Sequence, residues 1–469
     1  MKVAILFVAI AAFVAVGNVS AKVLINRHAP PPEVARNPRA KSPVLYSISM
    51  PVDHFNSADT RQWSMRYYGN DQHFVSGGPI FIYLGGEWTI SPGSLMGGQI
   101  YDMAAEHGGY LLYTEHRYYG YSYPTNDFTT ANLKYLSVEQ ALADLAAFIR
   151  GLKNNPIFID SKVVVVGGSY SATMATWARS KYPDLIDAAY ASSAPLLALD
   201  DYKQYFEVVG LNIQLESPEC WDVISEGTTR MNELYQTDAG ITELSSLINS
   251  CKRLKSYFPY KDHFFNQIAN LFAGTVQYAQ PGQIKAECQK MLNKSGDSLA
   301  KLAAYVRDTY GGCIGDYEDL LYWYAQTGLS ESSYRTWFYQ TCSEFGFFQT
   351  GNSTEQPFGV NWFSTVSHSM CADAFGSQFN KENILASIDN TNRNWGALKP
   401  NVTKVISIHG SVDPWHAIGL LEDLHEEAPA ILVPGYSHCA DLSSISSSDS
   451  EAMRNAKQTA KDLIAKWIS

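Results

Sequence analysis

One serine, one aspartate and one histidine stand out in this chain, each placed just beyond an apolar run. Ser169 follows Val163-Val164-Val165-Val166-Gly167-Gly168 and precedes Tyr170-Ser171-Ala172-Thr173-Met174-Ala175-Thr176-Trp177, a stretch that ends before Pro183. Four β-branched residues in a row read as a buried strand. The glycine pair reads as a turn too sharp for side chains, and the sequel as a helix stopped by the proline. Strand, glycine turn, serine and helix together raise a hydroxyl above a sheet edge and aim the first helical amide, that of Tyr170, where an oxyanion would form. A serine hydroxyl attacks poorly until a neutral imidazole takes its proton and a carboxylate fixes that imidazole's tautomer. Asp413 follows the apolar run 405–408 and His438 the run 430–433, so serine, acid and base come in that order on later strand ends. Among the eleven histidines, His409 falls at a strand end, His416 lies three residues from Asp413, and His107 and His116 precede the serine and break the order. Asp441 belongs to the same loop as His438, so Asp413 is the preferred acid.

The pattern around Ser169 is the nucleophile elbow of an α/β-hydrolase. Ser171 stands where that pattern expects glycine, and a small side chain there still allows helix and strand to approach. A phosphate-binding loop is excluded by the missing Gly-Lys-Ser/Thr, and a dinucleotide fingerprint by the missing third glycine. In this architecture a loop after an early strand supplies the second oxyanion amide. The strand pattern at 79–84 stops at Gly85-Gly86-Glu87, which makes Gly86 or Glu87 the expected donor. Strands are further predicted at 45–50, 63–68, 110–114 and 186–193, and helices over 99–106 and 141–153, the latter opened by a capping box from Ser137 to Gln140. Regular alternation of strand and helix over 79–195 implies a parallel sheet.

Residues 1–21 read as a secretory signal peptide, with Lys2, an apolar stretch over 3–16 and the cleavage-site residues Val19-Ser20-Ala21. A flexible leader is expected over 22–42, with Pro30-Pro31-Pro32. The hydrolase domain then occupies 43–196 and resumes over 389–469. Between them, 197–388 reads as an inserted helical cap, for example at 251–257 and 299–306. Six of the seven cysteines fall between 220 and 371, which suits a disulfide-containing cap; the odd count leaves one thiol over. No spacing suits zinc, and no cofactor is expected. Sequons at Asn293, Asn352 and Asn401 fit the secretory route. A net charge of -11 argues against nucleic acid, and no later stretch is long and apolar enough to span a membrane. The 13% aromatic content suits a deep aromatic cleft as well as a large core.

Several stretches jointly resemble the serine peptidase family of lysosomal prolyl carboxypeptidase, dipeptidyl peptidase II and thymus-specific serine protease. They are Asp53-His54-Phe55-Asn56, Gly85-Gly86-Glu87, Glu115-His116-Arg117-Tyr118-Tyr119-Gly120, the stretch from Tyr135 to Asp144, the Gly-Gly-Ser-Tyr elbow, the stretch from Tyr339 to Gly346, and Asp413-Pro414-Trp415. They span nearly all of the chain beyond the leader. Ser171 is similar to the thymus-specific branch. The resemblance implies an α/β-hydrolase with a helical cap, a triad of Ser169, Asp413 and His438, and cleavage of short peptides beside proline in a secreted or lysosomal setting. It implies Thr173 at a position lining the proline pocket, where the prolyl carboxypeptidase branch has methionine, and Trp415 as an aromatic wall. By the same analogy Cys342 pairs with Cys371. Gly351 replaces a family cysteine, so Cys220 is expected to have lost its partner, while Cys251, Cys288 and Cys313 contribute one further bridge of open pairing.

The reading that follows is a serine exopeptidase working through an acyl-enzyme on short peptides, as a monomer or a homodimer. Amino-terminal trimming needs a carboxylate for the substrate's ammonium, for which Glu87 is the candidate; carboxyl-terminal trimming needs a cation. A catalytically silent hydrolase-fold binding protein and an esterase or lipase are the alternatives.

Overall fold

The computed structural model describes residues 31–32, 34–330 and 334–469; the expected signal peptide and the leader up to residue 30 lie outside them. Eight strands form one sheet: β1 (Val44–Pro51), β2 (Gln62–Asn70), β3 (Ile80–Leu84), β4 (Tyr110–Thr114), β5 (Val163–Gly168), β6 (Ala188–Ser192), β7 (Val405–Gly410) and β8 (Ala430–Val433). Their order is β1-β2-β4-β3-β5-β6-β7-β8. β1, β2 and β4 pair antiparallel, and β3 through β8 run parallel. This is an α/β-hydrolase sheet. Long apolar runs form its centre because both faces are covered. Val163 and Val165 face a core shared with the helices Val138–Lys153 and Tyr170–Lys181. Val164 and Val166 face the helices Gly98–His107 and Glu451–Ile468. In that last helix Met453, Ala456, Ala460, Ile464 and Trp467 make the buried stripe expected of a 3.6-residue period.

Between the adjacent parallel strands β6 and β7 the chain makes its long helical excursion, the cap. Three disulfides lie within it, Cys220–Cys288, Cys251–Cys313 and Cys342–Cys371. Cys220 therefore has a partner after all. A Cβ on Gly351 would stand 2.7 Å from the Trp362 ring, so that ring fills the place of a side chain at 351, and Cys220 pairs with the helix Gln283–Leu292 instead. Cys439 is the free, buried thiol. The stretch 251–257 is not helical: the Cys251 amide donates to the Ile314 carbonyl (2.9 Å) beside the bridge Ser250↔Ile314, which draws this segment out alongside its disulfide partner. Only half of the expected capping box forms. Ser137 Oγ accepts from the Gln140 amide (3.3 Å), but the Gln140 side chain turns to Asp53 and the His54 amide.

Part of the expected flexible leader is instead held on the fold. The Asn37 amide donates to the Met96 carbonyl (2.7 Å), and Asn70 Nδ2 to the Lys41 carbonyl (3.1 Å).

One buried ion pair ties the first strands to the helix that leads into the elbow strand. Arg117 Nε and Nη2 donate to the two oxygens of Asp144 (2.7 and 2.8 Å), whose Oδ1 also meets His54 Nε2 at 2.7 Å. The Arg117 side chain has no exposure, and its Nη1 donates to the carbonyls of Val52 and Tyr135. Asp144→Ala should therefore cost about 3–5 kcal/mol, because it strands a buried cation. Urea denaturation with the disulfides intact measures this; a loss below about 1 kcal/mol would mean water or a neighbour replaces the carboxylate.

Candidate active site

The elbow forms because two glycines leave room that no other residue leaves. A Cβ on Gly167 would lie 2.2 Å from the Ser171 carbonyl oxygen, so the helix Tyr170–Lys181 can start directly against the strand. Ser169 sits at the turn with φ 59° and ψ -133°, a left-side backbone that costs energy for a residue with a side chain. Its amide donates to the Ser192 carbonyl at the end of β6 (2.9 Å). Ser171 has a use of its own here: its hydroxyl donates to the Gly168 carbonyl and accepts from the Gly168 amide, both at 2.9 Å, which closes the turn by side-chain bonds. Ser169 itself stays partly exposed, and the Tyr170 amide, first in its helix, has no carbonyl one turn back to bind.

Asp413 and His438 are brought together. His438 Nδ1 and Asp413 Oδ2 are 2.8 Å apart, with the side chains 1% and 0% exposed. Asp413 Oδ1 accepts the Trp415 amide at 3.0 Å, which fixes the carboxylate's rotation. Burial raises the cost of an ionised Asp413, yet His438 outweighs it and holds the carboxyl below its usual range. Burial likewise opposes a charged His438, and Asp413, together with the Cys439 side chain, more than offsets this, holding the imidazole well above its ordinary value. His438 Nε2 is buried with no hydrogen-bond partner among the described residues. The loop that carries this histidine is fastened beside the elbow. The Cys439 amide donates to Ser193 Oγ (2.9 Å), and Asp441 accepts from Ser192 Oγ (2.6 Å) and Tyr190 Oη (2.8 Å). Asp441 is thus engaged with β6 rather than with the imidazole, and His416 Nδ1 is bound to the Asp413 carbonyl at 2.7 Å.

The cap reaches into the same place. Gln277, at the end of the cap helix Tyr260–Gln277, accepts the His438 amide on its main-chain oxygen (3.0 Å). Its side-chain Oε1 accepts from Trp415 Nε1 (3.0 Å) and Tyr205 Oη (2.7 Å). Gln340, also from the cap and fully buried, donates to Tyr170 Oη (2.9 Å) and accepts from Tyr119 Oη (2.6 Å), while His116 Nε2 meets the same Tyr170 oxygen at 3.1 Å. Sequence reasoning missed both glutamines. A polar residue amid the aromatics of Tyr339–Phe345 was the available signal for Gln340, whereas Gln277 carries none.

Trp415 lines a cavity whose other walls are all cap residues, among them Phe347, Phe348, Trp337, Trp362 and Tyr205, none of them charged. Thr173 does not line it. Its side chain is 1% exposed, and its hydroxyl donates to the Pro195 carbonyl (2.8 Å), so the first turn of the elbow helix points it into the core. Gly86 lies under the Trp88 ring, 2.5 Å from where its Cβ would be. Glu87 Oε2 is buried without a partner among the described residues. Burial pushes this carboxyl up to about 7, drawn down in part by its own amide and by nearby His438. Asn293, Asn352 and Asn401 are exposed, with Asn352 Nδ2 bound to Asp201.

A family profile described as serine carboxypeptidase S28 matches residues 50–460. The chain belongs to the serine carboxypeptidase S28 family. This S28 chain is 31% identical over 446 residues to the thymus-specific serine protease of Mus musculus, covering 90% of this chain and 87% of that one. It is 27% identical over 457 residues to the lysosomal Pro-X carboxypeptidase of Homo sapiens, covering 93% and 90%. Membership makes it a serine-type peptidase of α/β-hydrolase fold. No helix among the described residues is long and apolar enough to cross a membrane, and no group of His, Cys, Asp or Glu among them suits a metal ion.

Proposed function

We infer that this S28 peptidase is a secreted or lysosomal serine exopeptidase that removes residues from the amino terminus of short peptides beside proline, through an acyl-enzyme. In this reading Ser169 Oγ attacks the scissile carbonyl and its proton passes to His438 Nε2, while Asp413 holds the imidazole's orientation and steadies its charge. The oxyanion takes hydrogen bonds from the Tyr170 amide and from the loop after β3. Of the two amides there, Gly86 is the better donor, since the Glu87 amide is engaged with its own carboxyl. Collapse expels the amine with the proton from His438. Water then adds to the ester by the same route in reverse, freeing the acid and Ser169. The observation that carries the reading is the buried Asp413–His438 pair, whose second imidazole nitrogen is unpartnered on a loop fastened beside the elbow.

The direction of trimming rests on charge. Glu87 offers a buried carboxyl near His438 whose Oε2 has no partner among the described residues, and the aromatic cavity offers no cation for a substrate carboxylate. An incoming ammonium would supply the partner that Oε2 lacks and favour the ionised carboxylate against its burial. Trp415, Phe347 and Trp337 give flat walls suited to a proline ring. Support for the secretory setting comes from the signal-peptide pattern, the exposed sequons and the lysosomal relative.

Xaa-Pro peptides blocked in turn at each end test the direction. Free-amino peptides should be cleaved and amino-blocked ones spared. Glu87→Gln should lower kcat/KM for free-amino peptides by roughly tenfold to a hundredfold, the worth of a hydrogen bond to a charged group. Equal loss on blocked and free peptides, or preference for a free carboxyl end, would remove Glu87 from this role.

A further inference from the structure

We propose that Pro31, Pro32 and residues 34–36 belong to a permanent strap that positions the catalytic loops, so that maturation of the chain stops before Pro31. The inference rests on the roles given to Ser169, His438 and Gly86.

The seat of this segment is made of glycines. A Cβ on Gly97 would lie 2.1 Å from the Ala35 carbonyl oxygen, one on Gly98 3.0 Å from Val34 Cγ1, one on Gly93 3.2 Å from Arg36 Nε, and one on Gly168 2.8 Å from Pro31 Cγ. Of these four only Gly98 has a positive φ, and Gly97 is fully extended at φ -178°. At Gly93, Gly97 and Gly168, then, glycine is not demanded by backbone conformation, and the space a side chain would take is held by the leader. The Asn37 amide, bound to the Met96 carbonyl, closes the same seat.

The strap touches the loops that matter. Buried Pro31 abuts Gly168, the residue before the nucleophile, at a point shared with Leu442 and Cys439 of the base loop. Pro31, Pro32 and Val34 also line a cavity of about 200 Å³ together with Trp88 and Tyr113. Trp88 Nε1 donates to Tyr113 Oη (2.6 Å), and its ring covers Gly86. A single segment therefore packs against the turn carrying the nucleophile beside the loop carrying the base, and shares a cavity with the aromatic ring that supports the oxyanion glycine. Such parts must hold to a fraction of an ångström for chemistry.

Amino-terminal sequencing of the mature, fully active protein from secreting cells should find a start at or before residue 31. Gly97→Ala, whose extended backbone accepts alanine, should unseat the strap. It should lower kcat and the rate of fluorophosphonate labelling by roughly tenfold with KM unchanged. A chain beginning at residue 43 should show the same loss, and a synthetic peptide of residues 31–42 added to it should restore labelling. A fully active mature form that begins beyond residue 36 overturns the proposal. So does Gly97→Ala with a lowered Tm but wild-type kcat and labelling, which would make the strap a stabilising element alone. Persistent labelling of Ser169→Ala would instead strike the underlying assignment of the nucleophile.

Discussion

Ser169→Ala should leave a folded protein that no fluorophosphonate labels and that turns over peptides roughly a millionfold more slowly than the parent chain, the scale seen when a nucleophile that works with its base is removed. Alanine has the same backbone restrictions as serine at φ 59°, so the elbow keeps its shape and the far-UV spectrum and Tm should stay near those of the parent. The variant also loses little hydrogen bonding, because it is the amide of residue 169 that binds the Ser192 carbonyl. Activity-based labelling and mass spectrometry of the labelled peptide check the result. Label retained on the variant would mean that another hydroxyl or the Cys439 thiol is the reactive group.

Asp413→Asn should reduce kcat by about ten-thousandfold while the fold persists. The asparagine carbonyl can still accept the Trp415 amide, but its NH₂ group facing Nδ1 favours the wrong imidazole tautomer. A second readout is independent of that magnitude. His438 must be neutral to accept the serine proton, and Asp413 holds its pKa well above the ordinary value against the opposing effect of burial. Activity should therefore fall as pH drops through that raised pKa. With the carboxylate gone, the largest influence favouring the cation is lost and only the Cys439 side chain still opposes burial, so the acid limb of the residual activity should move to lower pH. A pH profile of kcat/KM for both proteins measures this, and an unmoved limb would assign that limb to another group.

Much of the sheet could be read from the sequence because its signals are local. The runs 80–84, 163–166, 405–408 and 430–433 are apolar and meet a glycine or proline within two residues, and Ser169, Asp413 and His438 each lie a few residues past one. The cap was legible as helical but not in detail. Residues 251–257 have helical spacing, yet a partner sixty residues away holds them extended. Cys220 was misjudged for a related reason: pairing depends on which helices face each other, and the space at Gly351 is taken by a ring that no local pattern announces. Thr173 lies four residues past the nucleophile, but its rotamer is set by the carbonyl of Pro195, which belongs to the next strand's exit. The family-like stretches around His54, Arg117 and Asp144 prove to meet in one buried clasp, which no local pattern announces.

The position of Gln277 has a consequence for anyone who would alter what this peptidase cleaves. Its main chain steadies the loop of His438 while its side chain anchors Trp415, which lines the aromatic cavity. Lid and engine share that fastening. Swapping in a relative's lid to broaden selectivity would exchange part of the proton-transfer apparatus too, and a transplant that keeps turnover will be one that also carries a matching glutamine and base loop.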